Sequence, residues 1–134
     1  MESTTAETLS IRSDGEVVMV RQRVRTAAAD AGFSLVDQTK IVTAASELAR
    51  NTLIHGGGGV VRIESVKNGS RRGVKLTFED RGPGIPDISL AMKDGYSTGG
   101  GLGLGLSGAR RLSNDFEIES HPGGGTRVTI ARWK

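Results

Sequence analysis

The 134-residue chain has no cysteine, three prolines, two histidines and an aromatic fraction of only 4%. Without cysteine there is no disulfide scaffold, no thiolate metal site and no cysteine nucleophile. Two histidines give little scope for a His-based metal cluster. So few aromatics, with no interleaving of basic and aromatic residues, provide no platform on which nucleic-acid bases could stack. Eighteen Lys+Arg against fifteen Asp+Glu leave only +3, a weak electrostatic argument for a nucleic-acid partner. No apolar run approaches the ~20 residues of a membrane span. Residues 1–6 are polar and acidic, unlike a signal peptide. The expectation is a cytoplasmic protein of one domain, 1–134, with no nucleic acid and no membrane among its partners.

Glycine is abundant instead. The 20 glycines are about 15% of the chain, twice the usual ~7%. They cluster at 56–59, 82/84, 95–108 and 123–125. Regular segments flank each cluster, so the glycines read as tight turns or close backbone approaches.

The segment 8–12 alternates as a short edge strand. Ser13-Asp14-Gly15-Glu16 has the form of a capping box. Val17, Val20, Val24, Ala27/Ala28 and Ala31 follow at helical spacing, with Gly32 as the stop. Ser34 caps a second helix whose buried face is Ile41, Ala44/Ala45, Leu48 and Thr52, running to about His55. Segments 60–67 and 73–80 alternate as an antiparallel hairpin. After an irregular turn comes a helical turn at 88–93, then a glycine-rich loop, a helix over 102–112 and two strands at 116–120 and 126–133. The order β-α-α-β-β-(loop)-α-β-β predicts an α+β, two-layer sandwich. Its sheet would be mixed and mostly antiparallel, with helices on one face.

Three stretches carry polar groups that a core would exclude. Glu47 and Asn51 stand at i and i+4 and share a helix face. They are either a solvated pair or a carboxylate and amide lining a cleft, able to orient a hydroxyl or hold Mg²⁺. Asp80 ends an apolar strand before Arg81-Gly82-Pro83-Gly84-Ile85-Pro86; it either stabilises the turn or accepts a hydrogen bond from an exocyclic amine such as adenine's. Gly99–Leu106 leads into a helix N-terminus and can present backbone N–H groups to phosphate. The G-x-G-x-x-G match at 103–108 has no preceding strand or βαβ unit, and no Gly-Lys dipeptide exists. Dinucleotide and P-loop readings therefore fail.

In this order the three stretches resemble the N, G1 and G2 boxes of the GHKL ATPase superfamily, with its Bergerat fold. Gly124-Gly125-Thr126 resembles that superfamily's closing Gly-Thr element. Residues 46–51, 80–87 and 94–98 look like the RsbT-type switch serine/threonine kinases of bacterial stress signalling, relatives of the anti-sigma-factor kinases. The resemblance covers nearly the whole chain.

The resemblance implies an ATP-dependent kinase. In it Glu47 is the catalytic base or orients the acceptor hydroxyl, and Asn51 binds Mg²⁺ beside the ATP phosphates. Asp80 reads the adenine amino group, with Thr126 supporting it through water. Gly82 and Gly84 let the chain pass close to the base. Gly101, Leu102, Gly103, Leu104 and Gly105 offer N–H groups to the phosphates, and Ser97 and Thr98 lie in the lid. The implied substrates are STAS-domain scaffold or antagonist proteins, and the implied further partner is a PP2C-type phosphatase. Two alternatives remain: an anti-sigma factor that sequesters a sigma factor, and a non-catalytic, nucleotide-gated binding module. A sensor histidine kinase does not fit, because His55 ends the box helix and His121 precedes Pro122, so neither suits a phospho-acceptor helix.

Overall fold

The computed structural model describes residues 2–85, 87–92 and 102–134. Its elements are β1 (Glu2–Ile11), α1 (Asp14–Asp30), α2 (Leu35–Ile54), β2 (Gly59–Asn68), β3 (Arg71–Asp80), α3 (Ile88–Ala91), α4 (Leu102–Arg111), β4 (Asp115–His121) and β5 (Gly125–Trp133). The strands form one sheet in the order β1-β2-β3-β5-β4.

The sheet expected to be mixed is antiparallel in every pairing among the described residues. β3 and β4 do run in the same direction, separated by a helical crossover. They never pair, because β5 lies between them and is antiparallel to both. β1 is also longer than its alternating stretch at 8–12. Its earlier residues are largely polar and exposed, so no hydrophobic signal marks them. They are strand because they pair with β2, from Glu2↔Lys67 to Ile11↔Gly59.

Both long helices begin and end as their residues dictate. Ser13 accepts the Glu16 N–H, and Ser34 accepts the Asp37 N–H. The Glu16 carboxylate reaches one residue further back than a capping box requires. It accepts the Ser10 hydroxyl and, at 2.8 Å, the Arg12 N–H. These hydrogen bonds hold its pKa below the usual glutamate range. At the other end Gly32 takes φ +86°. The Phe33 and Gly32 N–H groups then reach back to the Ala28 and Ala29 carbonyls, a left-handed stop that favours glycine.

The core lies between helices and sheet. Val20, Val24 and Ala28 of α1 and Ile41, Ala45 and Leu48 of α2 pack with Val61, Leu76, Phe78, Val128 and Ile130 of the strands. Arg132 of β5 donates to Asp37 at 2.8 Å and to the Leu112 carbonyl at 2.8 Å. That clamp fixes the start of α2 and the end of α4 on the sheet. Among the described residues no helix is long and apolar enough to cross a membrane.

Candidate functional site

Asp80 is the last residue of β3, where the alternating core strand gives way to the turn at 81–85. The Gly82 N–H donates to its Oδ1 at 2.9 Å, so one oxygen stabilises the turn. Among the described residues its Oδ2 accepts no hydrogen bond and remains available to a ligand. The carboxylate sits where residue 56 has no side chain: a Cβ on Gly56 would stand 2.6 Å from Oδ2. A Cβ on Gly82 would come within 2.8 Å of the Gly56 Cα. The end of α2 is thereby pressed onto the Asp80 turn. The close approaches at Gly82 and Gly84 are made to the chain itself, Gly82 to Gly56 and Gly84 to the His121 carbonyl.

Asp80, Thr126 and Ser120 form a row across three neighbouring strands, paired Asp80↔Thr126 and Thr126↔Ser120. Directly opposed residues share a face of the sheet. The Thr126 and Ser120 hydroxyls are 2.9 Å apart, and the Ser120 Oγ accepts the Ile85 N–H at 2.7 Å. Ser120 therefore fixes both the threonine and the far end of the Asp80 turn. Sequence reasoning missed Ser120 and Gly56. A signal for Ser120 was present: it follows Phe116 and Ile118 at period two, a polar residue on the inward face of β4. Ser120→Ala would leave the Ile85 N–H without its acceptor. A loss of about 1–3 kcal/mol is expected, measurable by urea denaturation.

Along α2, Glu47, Asn51 and His55 recur every four residues and form one stripe. Glu47 is exposed and Asn51 half-buried. The Asn51 Nδ2 and His55 Nε2 atoms are buried with no hydrogen-bond partner among the described residues. Buried amide hydrogens without acceptors are costly, so the Asn51 amide is poised for an acceptor from outside the described chain. It lies under α4: a Cβ on Gly105 would stand 2.8 Å from the Asn51 Nδ2. Buried Leu106 and Ala109 hold α4 at this distance from α2.

Two glycines of α4 differ in their surroundings, since among the described residues nothing outside the helix's own backbone lies within 4 Å of a Cβ on Gly108. Gly108→Ala is expected to stabilise the fold by about 0.4–1 kcal/mol. Gly105→Ala is expected to displace Asn51 and weaken nucleotide binding. Thermal denaturation and calorimetry check the pair.

The first turn of α4 spans Leu102, Gly103, Leu104 and Gly105, where a helix leaves its N–H groups without intrahelical acceptors. Ser97, Thr98 and Gly101, with the rest of the expected lid, lie outside the described residues. A rise of 1.5 Å per residue puts Glu47 about 6 Å along α2 from Asn51, and Gly56 lies in the opposite direction, just beyond the His55 C-cap. The helix and the residues just after it thus space three features: a carboxylate facing solvent, an amide unsatisfied among the described residues beneath a helix N-terminus, and a contact to a strand-end aspartate. An α+β sandwich that sets an aspartate oxygen, free of hydrogen bonds among the described residues, near one end of α2 and the N–H groups of a helix N-terminus above Asn51 has the parts of a nucleotide-binding domain.

The comparisons narrow that class. Residues 36–134 match the family of histidine kinase-, DNA gyrase B- and HSP90-like ATPases. The serine/threonine-protein kinase RsbT of Bacillus subtilis is 46% identical over 123 residues, 92% of each chain. The anti-sigma F factor of Clostridium kluyveri is 32% identical over 105 residues, 74% of this chain and 72% of that one. Among solved structures, the RsbU and RsbW domains of Rv1364c from Mycobacterium tuberculosis superpose with a TM-score of 0.66 at 24% identity. That match covers 98% of this chain and 33% of the longer one, and it shows the shared fold. The chain belongs to the histidine kinase-, DNA gyrase B- and HSP90-like ATPase family and, within it, to the RsbT-type protein serine/threonine kinases.

Proposed function

We propose that this kinase transfers the γ-phosphoryl group of ATP to a serine or threonine of a STAS-domain scaffold or antagonist protein, and that it then binds and activates a PP2C-type phosphatase. The observation that carries the catalytic part is the buried, unpartnered Asn51 amide beneath Gly105. Such a group is satisfied by a phosphate oxygen, and that position agrees with a triphosphate running from Asp80 toward Glu47.

In this reading the Asp80 Oδ2 accepts the adenine exocyclic N–H while Oδ1 keeps its bond from Gly82. Thr126, held by Ser120, stands beside it and can carry a bridging water. The N–H groups at the start of α4 donate to phosphate oxygens, where the helix dipole also favours negative charge. Asn51 donates through Nδ2 to the phosphates and keeps its Oδ1 free. The Asn51 amide beneath Gly105 offers one oxygen, which fits Mg²⁺ because that ion is commonly held by few protein oxygens, by substrate phosphates and by water. Bound there, with Asn51 as its protein ligand, Mg²⁺ would neutralise charge developing on the phosphates. Glu47 aligns the acceptor hydroxyl. As that oxygen bonds to the γ-phosphorus and the bond to ADP breaks, the hydroxyl proton passes to the Glu47 carboxylate. Phosphoryl transfer depends mainly on positioning and charge stabilisation, and these residues supply both.

The anti-sigma F factor relative supports a second reading, in which a sigma factor is sequestered. Incubating the chain with Mg²⁺, labelled ATP and STAS-domain proteins of the same organism separates the two. Label on a STAS serine or threonine, with no retention of sigma factor, is the expected result. ATP binding without label transfer to any STAS protein would overturn the kinase–STAS assignment.

A further inference from the structure

At the far edge of the sheet from β1, α3, the end of α4 and β4 enclose an open groove of about 800 Å³. Its apolar surface comes from Ile88, Met92, Phe116 and Ile118, and Arg110 and Arg111 stand on its rim. The four apolar residues are only partly buried. Among the described residues no carboxylate lines the groove. Arg110 is exposed and makes no ion pair or hydrogen bond among the described residues, whereas Arg111 has an interaction of its own. β4 pairs only with β5, so one side of its backbone is unpaired among the described residues. Such an edge is a template for another strand.

The two faces of β4 differ sharply. Phe116 and Ile118 face the groove. Glu117 and Glu119 lie on the opposite face, beside Lys75 and Arg127. Glu119 is paired with Arg127 at 2.9 Å, whereas a second copy pairing its own β4 here would bring the Glu117 carboxylates of the two edges onto one face, and opposed like charges destabilise a sheet. A partner strand of complementary pattern meets no such conflict.

We propose that the β4 edge is a docking site for an extended segment of a partner protein, added as a sixth strand. The face of that segment toward the groove carries apolar residues and an aspartate or glutamate for Arg110. Its other face carries lysine or arginine toward Glu117, since Glu119 is already paired with Arg127. Backbone pairing gives the affinity, and the two faces give the specificity. This site is separate from the nucleotide cleft and does not depend on phosphoryl transfer.

The test is a displayed library of random ten-residue segments, selected without ATP on the full chain. Enriched sequences are expected to alternate as described. A synthetic peptide of the enriched sequence should slow hydrogen exchange of the β4 amides and bind Arg110→Glu about ten-fold or more weakly. Replacing its acidic residue by lysine should restore binding to that variant. Circular dichroism and ATP binding of Arg110→Glu should be unchanged, since the side chain is exposed and outside the nucleotide cleft. The proposal is overturned by failure to enrich any segment, by exchange protection elsewhere than β4, or by equal binding to Arg110→Glu. It is also overturned if the chain self-associates through β4. None of these results bears on the kinase–STAS assignment, which is read by label transfer alone.

Discussion

Glu47→Gln is expected to lower the rate of phosphoryl transfer about 10²–10⁴-fold, the usual cost of losing a positioned base, while ATP binding is retained. The side chain is exposed on α2, so its substitution removes no core contact. It stands one helical turn from Asn51, on the side away from Gly56 and Asp80, and so beyond the end of the cleft assigned to adenine. Glutamine keeps the shape and a hydrogen-bonding oxygen but cannot take the hydroxyl proton at neutral pH. Single-turnover label transfer to a STAS protein, measured beside calorimetric ATP binding, checks both halves. Undiminished transfer would remove Glu47 from the mechanism. Loss of binding and transfer together would make it a binding residue instead.

Asp80→Asn is expected to weaken ATP binding about 10–100-fold. That range corresponds to one desolvated polar group left mismatched, about 1–3 kcal/mol. The amide oxygen can still accept the Gly82 N–H, so the turn should survive. The second position, now an NH₂, would face the adenine amine with a donor opposite a donor. Guanine presents an acceptor, O6, where adenine presents its amine. The same substitution should therefore raise GTP binding relative to ATP. Calorimetry with both nucleotides reads the ratio. An unchanged ratio would mean that Asp80 serves the turn alone, through its bond to Gly82.

Much of the scaffold was legible because its signals are local. The caps at Ser13 and Ser34, the stop at Gly32 and the buried stripes of α1 and α2 follow from periodicity and side-chain chemistry within a few residues. The hairpin of β2 and β3 was equally clear, since both strands alternate and a short polar turn joins them. The first half of β1 was not. A polar edge strand is held by backbone hydrogen bonds to a neighbour some sixty residues away, and it needs no apolar alternation.

The candidate site divides in the same way. Glu47, Asn51, Asp80 and the phosphate glycines could be named from residue type, spacing and family resemblance. Gly56 could not, and Ser120 showed only as a polar residue on the inward face of β4, because their significance lies in what they touch. Ser120 becomes a support only when β4 aligns it with Thr126 and the Ile85 N–H. Gly56 becomes indispensable only when β3 brings the Asp80 carboxylate into the space a side chain would fill.

The sequence by itself determined the long helices and the central hairpin and named the candidate residues of the site, because periodicity, capping and residue type act over one or two turns of chain. Tertiary structure alone decided that β5 enters between β3 and β4 to make the sheet antiparallel throughout. It alone decided that Asn51 lies buried beneath Gly105, and that β4 remains an open edge beside an arginine-rimmed groove. Each of those outcomes depends on strand order and helix packing, which join residues far apart in the chain through backbone pairing and close contact that no local pattern encodes.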